Sequence, residues 1–381
     1  MNKNRLNIRK RDEARNALIE ARKRHVNHVK DMINPGRNIR KLVAGDSESY
    51  VNTIIPKAKM RYDQMEVILV PDNTVDATIK EYQKQSKELA EHYHKTKEML
   101  LPRIMVLDFA SFKRPGGGFM TGSTAQEESL CERTDLYPYL DNRRASSWYV
   151  ENKRFCKDNY LKPAASLYND NQILVSDVRF FDNREIDVAT ASVLVTAAPN
   201  HKAYIDGSVG GNYPVNIQEY MDALESRIRS IFWTAYNSNF DTLILGAFGC
   251  GVFGNNARDV SFYFYQYIKK FAFMFKRIIF AIPNNTRLPD VDTNFGIFNH
   301  SFLYNFNLLG SLTSERKIEV SADSEQKEVT YVFKKLDNAK TKQDFKSKLA
   351  SAERIYYDVK KETPKPLKAR GMTESIIFRG R

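Results

Sequence analysis

Cysteine is scarce in this chain: Cys131, Cys156 and Cys250 are the only three in 381 residues. An odd, sparse set with no Cys-x-x-Cys pair offers no disulfide framework, and a chain of this length buries enough surface to fold without one. Sparse thiols fit a reducing compartment, so the expectation is an intracellular protein, cytoplasmic or nuclear and not secreted. Long apolar runs are missing too. None approaches the roughly 18 residues that a membrane-spanning helix needs, so no membrane partner is expected. The N-terminus is dense in charge from Lys3 to Arg15 and lacks the apolar stretch of a secretory signal. Histidine is also rare. His92 and His94 stand two apart on a predicted helix and so point in different directions, which makes a poor metal pair. His201 and His300 have no partner visible in the sequence, and solvated or structural roles suit them better than ligation.

What is abundant is positive charge, and its placement says more than its total. The formal net charge is +13. Residues 1–44 hold 13 Lys/Arg against 4 Asp/Glu, and residues 311–381 hold 17 against 11. The centre, 45–310, holds 29 against 31 and is nearly neutral. Basic flanks attract polyanions such as nucleic acid or acidic protein surfaces, and they equally serve as solubilising or localising tails.

Along the chain, residues 10–30 read as a helix with a thin apolar stripe (Ala14, Leu18, Ala21, Val26 or Val29), weakly packed or mobile, ended by Asn34-Pro35-Gly36. Strands are predicted at 66–70, 104–109, 173–178, 192–198, 242–245 and 277–282. Helices are predicted at 74–99, 124–140, 217–236 and 256–275. The strands are continuous apolar runs, which implies burial on both faces of the sheet. The fold class is therefore α/β: a three-layer α/β/α sandwich around a central sheet of about six strands. Beyond residue 310 the alternation breaks down. Residues 315–336 suggest a hairpin, 341–357 a helix, and 361–381 a disordered tail. The division that follows is a basic helical extension over 1–36, a catalytic or binding domain over 37–310, and a basic C-terminal extension over 311–381.

Two glycine-rich loops carry the chemistry. The first runs from Pro115 through Gly116-Gly117-Gly118 to Gln126-Glu127-Glu128, leaving the end of the 104–109 strand and entering a helix. Ligands of open α/β sheets bind beyond the carboxyl ends of strands, so the position suits a site. Thr124-x-x-Glu127 also matches a capping box, in which the glutamate serves the helix start. Adjacent helical residues point about 100° apart, so one glutamate can cap while the other faces a cleft. The second loop, 245–255, holds Gly246, Gly249, Gly251 and Gly254 between a buried strand and a helix. Its backbone N–H groups and the helix start can hold phosphate oxygens. It lacks the Gly-Lys-Ser/Thr ending of a Walker loop and does not fit the dinucleotide fingerprint in register. Phe253 suits either stacking on a ribose or base, or anchoring the loop.

The stretch VLDFASFKRPGGGFMTGSTAQEESLCERTDLYPYL (106–140) resembles the signature of the bacterial-type (microbial) poly(ADP-ribose) glycohydrolases, which are macrodomain proteins. LGAFGCGVFGNN (245–256) resembles their diphosphate loop, and VLVTAAPN (193–200) their strand leading to an Ala-Pro-Asn turn. The resemblance covers roughly residues 37–300. It implies a macrodomain-like fold with a mixed sheet and hydrolysis of ribose–ribose bonds to release ADP-ribose. Glu128 matches the catalytic glutamate, with Glu127 orienting the leaving ribose and Gln126 holding the loop. Gly116, Gly117 and Gly118 would wrap the distal ribose and diphosphate. Gly249, Cys250, Gly251, Val252, Phe253 and Gly254 would bind the diphosphate and terminal ribose. The family needs no metal and no cofactor, and its partners are ADP-ribose, poly(ADP-ribose) and ADP-ribosylated proteins. One position departs from the pattern: the family usually has Asn at the strand end, and this chain has Asp108, a further candidate for substrate binding. A carboxylate accepts a hydrogen bond from a ribose hydroxyl but does not donate one, and it repels a diphosphate. Other activities compatible with these motifs are hydrolysis of mono-ADP-ribosyl groups and non-catalytic binding of ADP-ribose. Valine at Gly118 or Gly251 is expected to abolish ligand binding with little loss of fold.

Overall fold

The computed structural model describes residues 3–42, 47–159, 167, 170–205, 216–284, 292–309, 314–320 and 327–334. Among the described residues nine strands form one sheet. They are β1 (Ile39–Leu42), β2 (Gln64–Val70), β3 (Ile104–Phe109), β4 (Gln172–Phe181), β5 (Asp187–Thr196), β6 (Thr242–Leu245), β7 (Arg277–Ala281), β8 (Ser314–Val320) and β9 (Lys327–Lys334). The order across the sheet is β1-β4-β5-β3-β6-β7-β2-β9-β8. The five inner strands from β5 to β2 run parallel, and an antiparallel pair closes each edge.

The helices in chain order are α1 (Lys3–Val29), α2 (Pro35–Asn38), α3 (Ser47–Thr53), α4 (Thr74–Thr96), α5 (Gln126–Glu132), α6 (Leu136–Leu140), α7 (Arg143–Asp158), α8 (His201–Ile205), α9 (Ile217–Asn237), α10 (Ala257–Lys270) and α11 (Asn294–Leu309). Strand side chains alternate between faces, so each inner strand feeds two cores. Leu69, Leu107, Leu245 and Phe280 pack with α9, α10 and α11 on one face. Val70, Val106, Ile244 and Ile279 pack with α4, α5, α6 and α7 on the other. This is the expected three-layer sandwich, and all six expected strands are present. The sheet is larger than expected because β1 and the β8–β9 hairpin extend its edges. The hairpin read at 315–336 is thus part of the sheet, pairing with β2 from Gln64 to Leu69, and the sheet continues past the boundary drawn at residue 310. The helix read at 341–357 and the tail at 361–381 lie outside the described residues.

The helix expected over 124–140 is two helices. Proline at 138 has no N–H to offer and its ring crowds the carbonyl four residues back, which belongs to Thr134. That carbonyl instead hydrogen-bonds His25 Nε2 of α1 at 2.8 Å, and Thr134 itself bridges to Phe180 of β4. The break turns α6 under the sheet and leaves α5 as a seven-residue helix whose start faces the first glycine loop.

Candidate active site

β3 and β6 are parallel neighbours, Met105 opposite Leu243 and Val106 opposite Ile244. The loops that leave Phe109 and Leu245 therefore emerge side by side at one end of the sheet. From β3 the chain goes next to β4 and β5 on one side, and it returns to β6 on the other. That reversal opens a crevice, as it does in open α/β sheets generally. A cavity of about 390 Å³ occupies it, within the usual range of roughly 300–1,000 Å³ for small-molecule sites. Phe109, Ala125 and Gln126 line it from the first loop; Gly249, Gly251, Val252 and Phe253 from the second.

Each side chain of the 126–128 triplet does something different. Gln126 accepts from Phe109 N–H (2.9 Å) and donates to the Leu107 carbonyl (2.8 Å) and Thr74 Oγ1 (3.2 Å), stitching α5 to the ends of β3 and α4. Glu127 Oε2 accepts from Ser111 N–H at 2.7 Å. Glu128 Oε1 accepts from Gly118 N–H at 2.7 Å, and its Oε2 from Ala125 N–H at 3.0 Å. The sequence points to Thr124 as the cap with Glu127 as its partner; the helix instead starts one residue later. Ala125 is the N-cap, and Glu128, three residues on, provides the carboxylate half of the box. Alanine has no acceptor, so the reciprocal half is absent. Glu128 thereby serves the helix start and the glycine loop at once, while Glu127 reaches Ser111.

Gly117 shows how close that approach is. At φ +58° it lies in the left-handed region, and a Cβ there would stand 2.7 Å from Glu127 Oε2 and 2.8 Å from Glu128 Oε1. Only glycine fits both demands. Gly116, also left-handed, has its open side against Tyr137 and Cys131. At Gly118 an added Cβ would come within 2.1 Å of Ser123 Oγ. Valine at 118 would therefore break the loop's own packing, and the expectation of an intact fold for that variant is corrected. Asp108, next to this group on β3, is fully buried.

The electrostatics are one-sided. Burial pushes the Asp108 carboxyl well above the usual carboxylate range, and the charge of Glu128 adds to it. Burial likewise raises Glu127, with Asp108 adding and the Ser111 N–H opposing. Among the described residues no group of three His, Cys, Asp or Glu side chains is arranged to hold a metal ion.

In the second loop, Gly249 and Gly254 have φ of +73° and +65°. The loop closes on itself through Asn255 N–H to the Gly249 carbonyl and Gly254 N–H to the Gly251 carbonyl, both 3.0 Å. The N–H groups of Gly249, Gly251 and Val252 keep no hydrogen-bond partner among the described residues, and α10 begins just beyond, capped by Asn256. Unused backbone donors beside a helix start suit an anion. Val252 stands 78% exposed at the rim. Cys250 turns inward against the α9–α10 core, where burial pushes its thiol up to about 12. Phe253 packs against both cores while its edge lines the cavity. Gly251 has nothing within 4 Å of a would-be Cβ. Gly251→Val should therefore melt within about 0.5 kcal/mol of the wild type and yet lose most of its ADP-ribose-induced thermal shift. An unchanged shift would remove the second loop from the site.

Sequence reasoning missed the part played by α1. Arg22 is 1% exposed. Its Nη1 donates to the carbonyls of Phe119 and Ser123, both at 2.8 Å, and its Nη2 to Glu132 at 2.9 Å. The guanidinium also lies 4.8 Å from the Phe119 ring centroid. Arg15 Nε donates to the Thr121 carbonyl at 2.9 Å. The helix is therefore packed on the first glycine loop, which corrects the reading of a weakly held extension. Its buried stripe is Arg22, His25 and Val29, three and four residues apart. Two of the three are polar, so a count of apolar spacing could not find it. Asn255, buried between Gly249 and the start of α8, was also missed. Its only sequence signal was its place at the end of the glycine loop.

Comparison with known proteins bears on this geometry. The crystal structure of poly(ADP-ribose) glycohydrolase from Deinococcus radiodurans in complex with ADP-ribose aligns with a TM-score of 0.54 at 24% identity, over 70% of this chain and 94% of that one. The Thermomonospora curvata enzyme aligns at 0.54 and 23%, over 70% and 87%. The fold is that of the microbial poly(ADP-ribose) glycohydrolases. Residues 24–183 match the family model of the microbial-type PARG catalytic domain. That span takes in the first glycine loop and the 126–128 triplet of the PARG-like fold, while the second glycine loop lies beyond it. No curated protein matches the sequence. No helix among the described residues is long and apolar enough to cross a membrane.

Proposed function

We propose that this chain is a poly(ADP-ribose) glycohydrolase, with Glu128 as its general acid and base. The observation that carries the reading is the approach of Gly117 to both glutamates, with Gln126 of the same triplet lining a cavity shared with the glycine loop whose N–H donors are unused, although Glu127 and Glu128 themselves do not line it. The diphosphate of a terminal ADP-ribose would lie on Gly249, Gly251 and Val252, and its distal ribose under Gly116–Gly118. Glu128 would give its proton to the departing 2′-oxygen of the next unit as the anomeric bond breaks. It would then take a proton from the water that attacks the anomeric carbon, which restores the acid. Glu127, tied to Ser111, would orient the leaving ribose. The relatives that share this fold are named for this activity, and one of them is a complex with ADP-ribose.

The test is direct. Incubated with poly(ADP-ribose), the protein should release free ADP-ribose. Binding of the polymer without release would identify a reader, and release only from singly modified proteins would identify a mono-ADP-ribosyl hydrolase.

Basic side chains exposed on α1 favour the polymer over a single unit. The helix is fixed beside the first loop by Arg15 and Arg22, and Lys10, Arg11 and Arg24 are exposed on it. A polyanion leaving the cleft would gain from such charges and lose that gain in salt. Lys10→Glu with Arg11→Glu is expected to lower kcat/KM on the polymer by about five- to tenfold at low salt, as for two phosphate contacts, with no change on a singly modified peptide. Equal losses on both substrates would remove α1 from polymer binding.

A further inference from the structure

The acids around the first loop face a shortage of donors. Asp108 is fully buried and neither of its oxygens has a hydrogen-bond partner among the described residues. Glu127 Oε1 is likewise buried and unpartnered. The titratable groups that face Asp108 come from two elements packed on β3: Glu127, Glu128 and Cys131 from α5, and Tyr149 from α7. None of them is a cation. Among the described residues the one basic side chain that acts on this cluster is Arg22, through Cys131, and its guanidinium is engaged by Phe119, Ser123 and Glu132. The hydroxyls of Tyr149 and of Thr196, on the neighbouring strand, are buried without a partner as well, so neither donates to Asp108. The two glutamates each receive backbone N–H groups; Asp108 receives none.

A buried carboxylate with no cation and no donor is among the costliest groups a protein can hold, and the inexpensive alternative is to keep its proton. We infer that Asp108 is a neutral carboxylic acid, and that in this form it lets an anionic diphosphate sugar enter. As the acid, it resembles an amide in shape and in having one donor and one acceptor, and it adds no charge beside Glu127 and Glu128. Ionised, it would put a further negative charge under an anionic ligand. The last step, ligand entry, rests on the function proposed above; the protonation does not.

The direction of the pH dependence follows from linkage. A carboxyl whose folded pKa lies above its unfolded value holds its proton more tightly when folded, so stability is full at low pH and declines as pH rises toward the folded pKa. Asp108→Asn removes that decline. The test joins two measurements on the full chain. At pH 7 the infrared difference spectrum between wild type and Asp108→Asn should contain the carbonyl stretch of a neutral carboxylic acid, and the melting temperature of Asp108→Asn should rise relative to wild type as the pH is raised from 4 to 7. A carboxylate band in place of the acid band, or a melting difference that does not change with pH, overturns the inference whether or not the protein is a glycohydrolase. If Asp108→Asn folds poorly, carbon-13 spectra of the wild type labelled at aspartate decide it alone: one carboxyl must remain protonated at pH 7, and full ionisation of all aspartates overturns the proposal. The affinity for ADP-ribose then separates the second step. It should weaken by up to about tenfold per pH unit once Asp108 ionises, and it should stay flat over that range in Asp108→Asn. A parallel pH dependence in both proteins would leave Asp108 neutral but without influence on the ligand, which overturns the claim about entry.

Discussion

Glu128→Gln is expected to lower kcat on poly(ADP-ribose) by about 10²- to 10⁴-fold, the range that loss of a general acid–base group covers. The substitution keeps the size of the side chain and removes its ability to carry a proton. The consequence for the fold is small and can be worked out. Both carboxylate oxygens accept backbone N–H groups, from Gly118 and from Ala125. An amide offers only one oxygen, so one N–H is left facing an NH₂ group, at a cost of about 1–2 kcal/mol. Glu128→Gln should therefore melt slightly lower while still binding ADP-ribose. Glu127→Gln is the comparison. Its Oε2 accepts from Ser111, and its proposed task is orientation, so the loss should be smaller than at Glu128. A reversed order would assign the proton transfer to Glu127.

Arg22→Met should lower the stability by about 2–4 kcal/mol, because the buried carbonyl of Phe119 and the part-buried carbonyl of Ser123 each lose a charged donor at about 1–2 kcal/mol apiece. For a chain of this size that is a fall of roughly 3–6 °C in Tm. The second effect reaches the chemistry. Phe119 follows Gly118, whose N–H holds Glu128, and Ser123 packs against the open side of Gly118. With the clamp gone, the loop and the carboxylate are free to shift together, and a misplacement of about 1 Å costs about 10²-fold in rate. Arg22→Lys keeps the charge but not the fork that sets one nitrogen on the two carbonyls and another on Glu132, so it should recover part of the Tm and little of kcat. A lowered Tm with an unchanged kcat below the melting range would make α1 a purely structural brace.

The inner sheet was legible because its strands are buried on both faces and so read as unbroken apolar runs. Ile104–Phe109 and Thr242–Leu245 are cases where the sequence and the structure agree to the residue. Edge strands were harder. β1 is four residues with two charged side chains among them, and nothing in its pattern separates it from a loop. The glycine loops were visible as motifs, and their convergence follows from the pairing of β3 with β6, a long-range fact that no local spacing encodes. Which backbone groups Glu127 and Glu128 accept from was not legible. It depends on whether Thr124 or Ala125 is the N-cap of α5, a shift that redirects both carboxylates by about 100°. The role of α1 was hidden for a different reason. A stripe of Arg22, His25 and Val29 looks solvent-facing until the carbonyls of Phe119, Ser123 and Thr134 are in place to receive it.

A crystal structure of the protein with ADP-ribose bound tests the central claim most directly. The diphosphate should lie against the N–H groups of Gly249, Gly251 and Val252, with the distal ribose beneath Gly116–Gly118 and its anomeric carbon turned to the Glu128 carboxylate. A ligand seated away from the crevice between β3 and β6, or one bound there with its distal ribose pointing away from Glu128, would contradict the account.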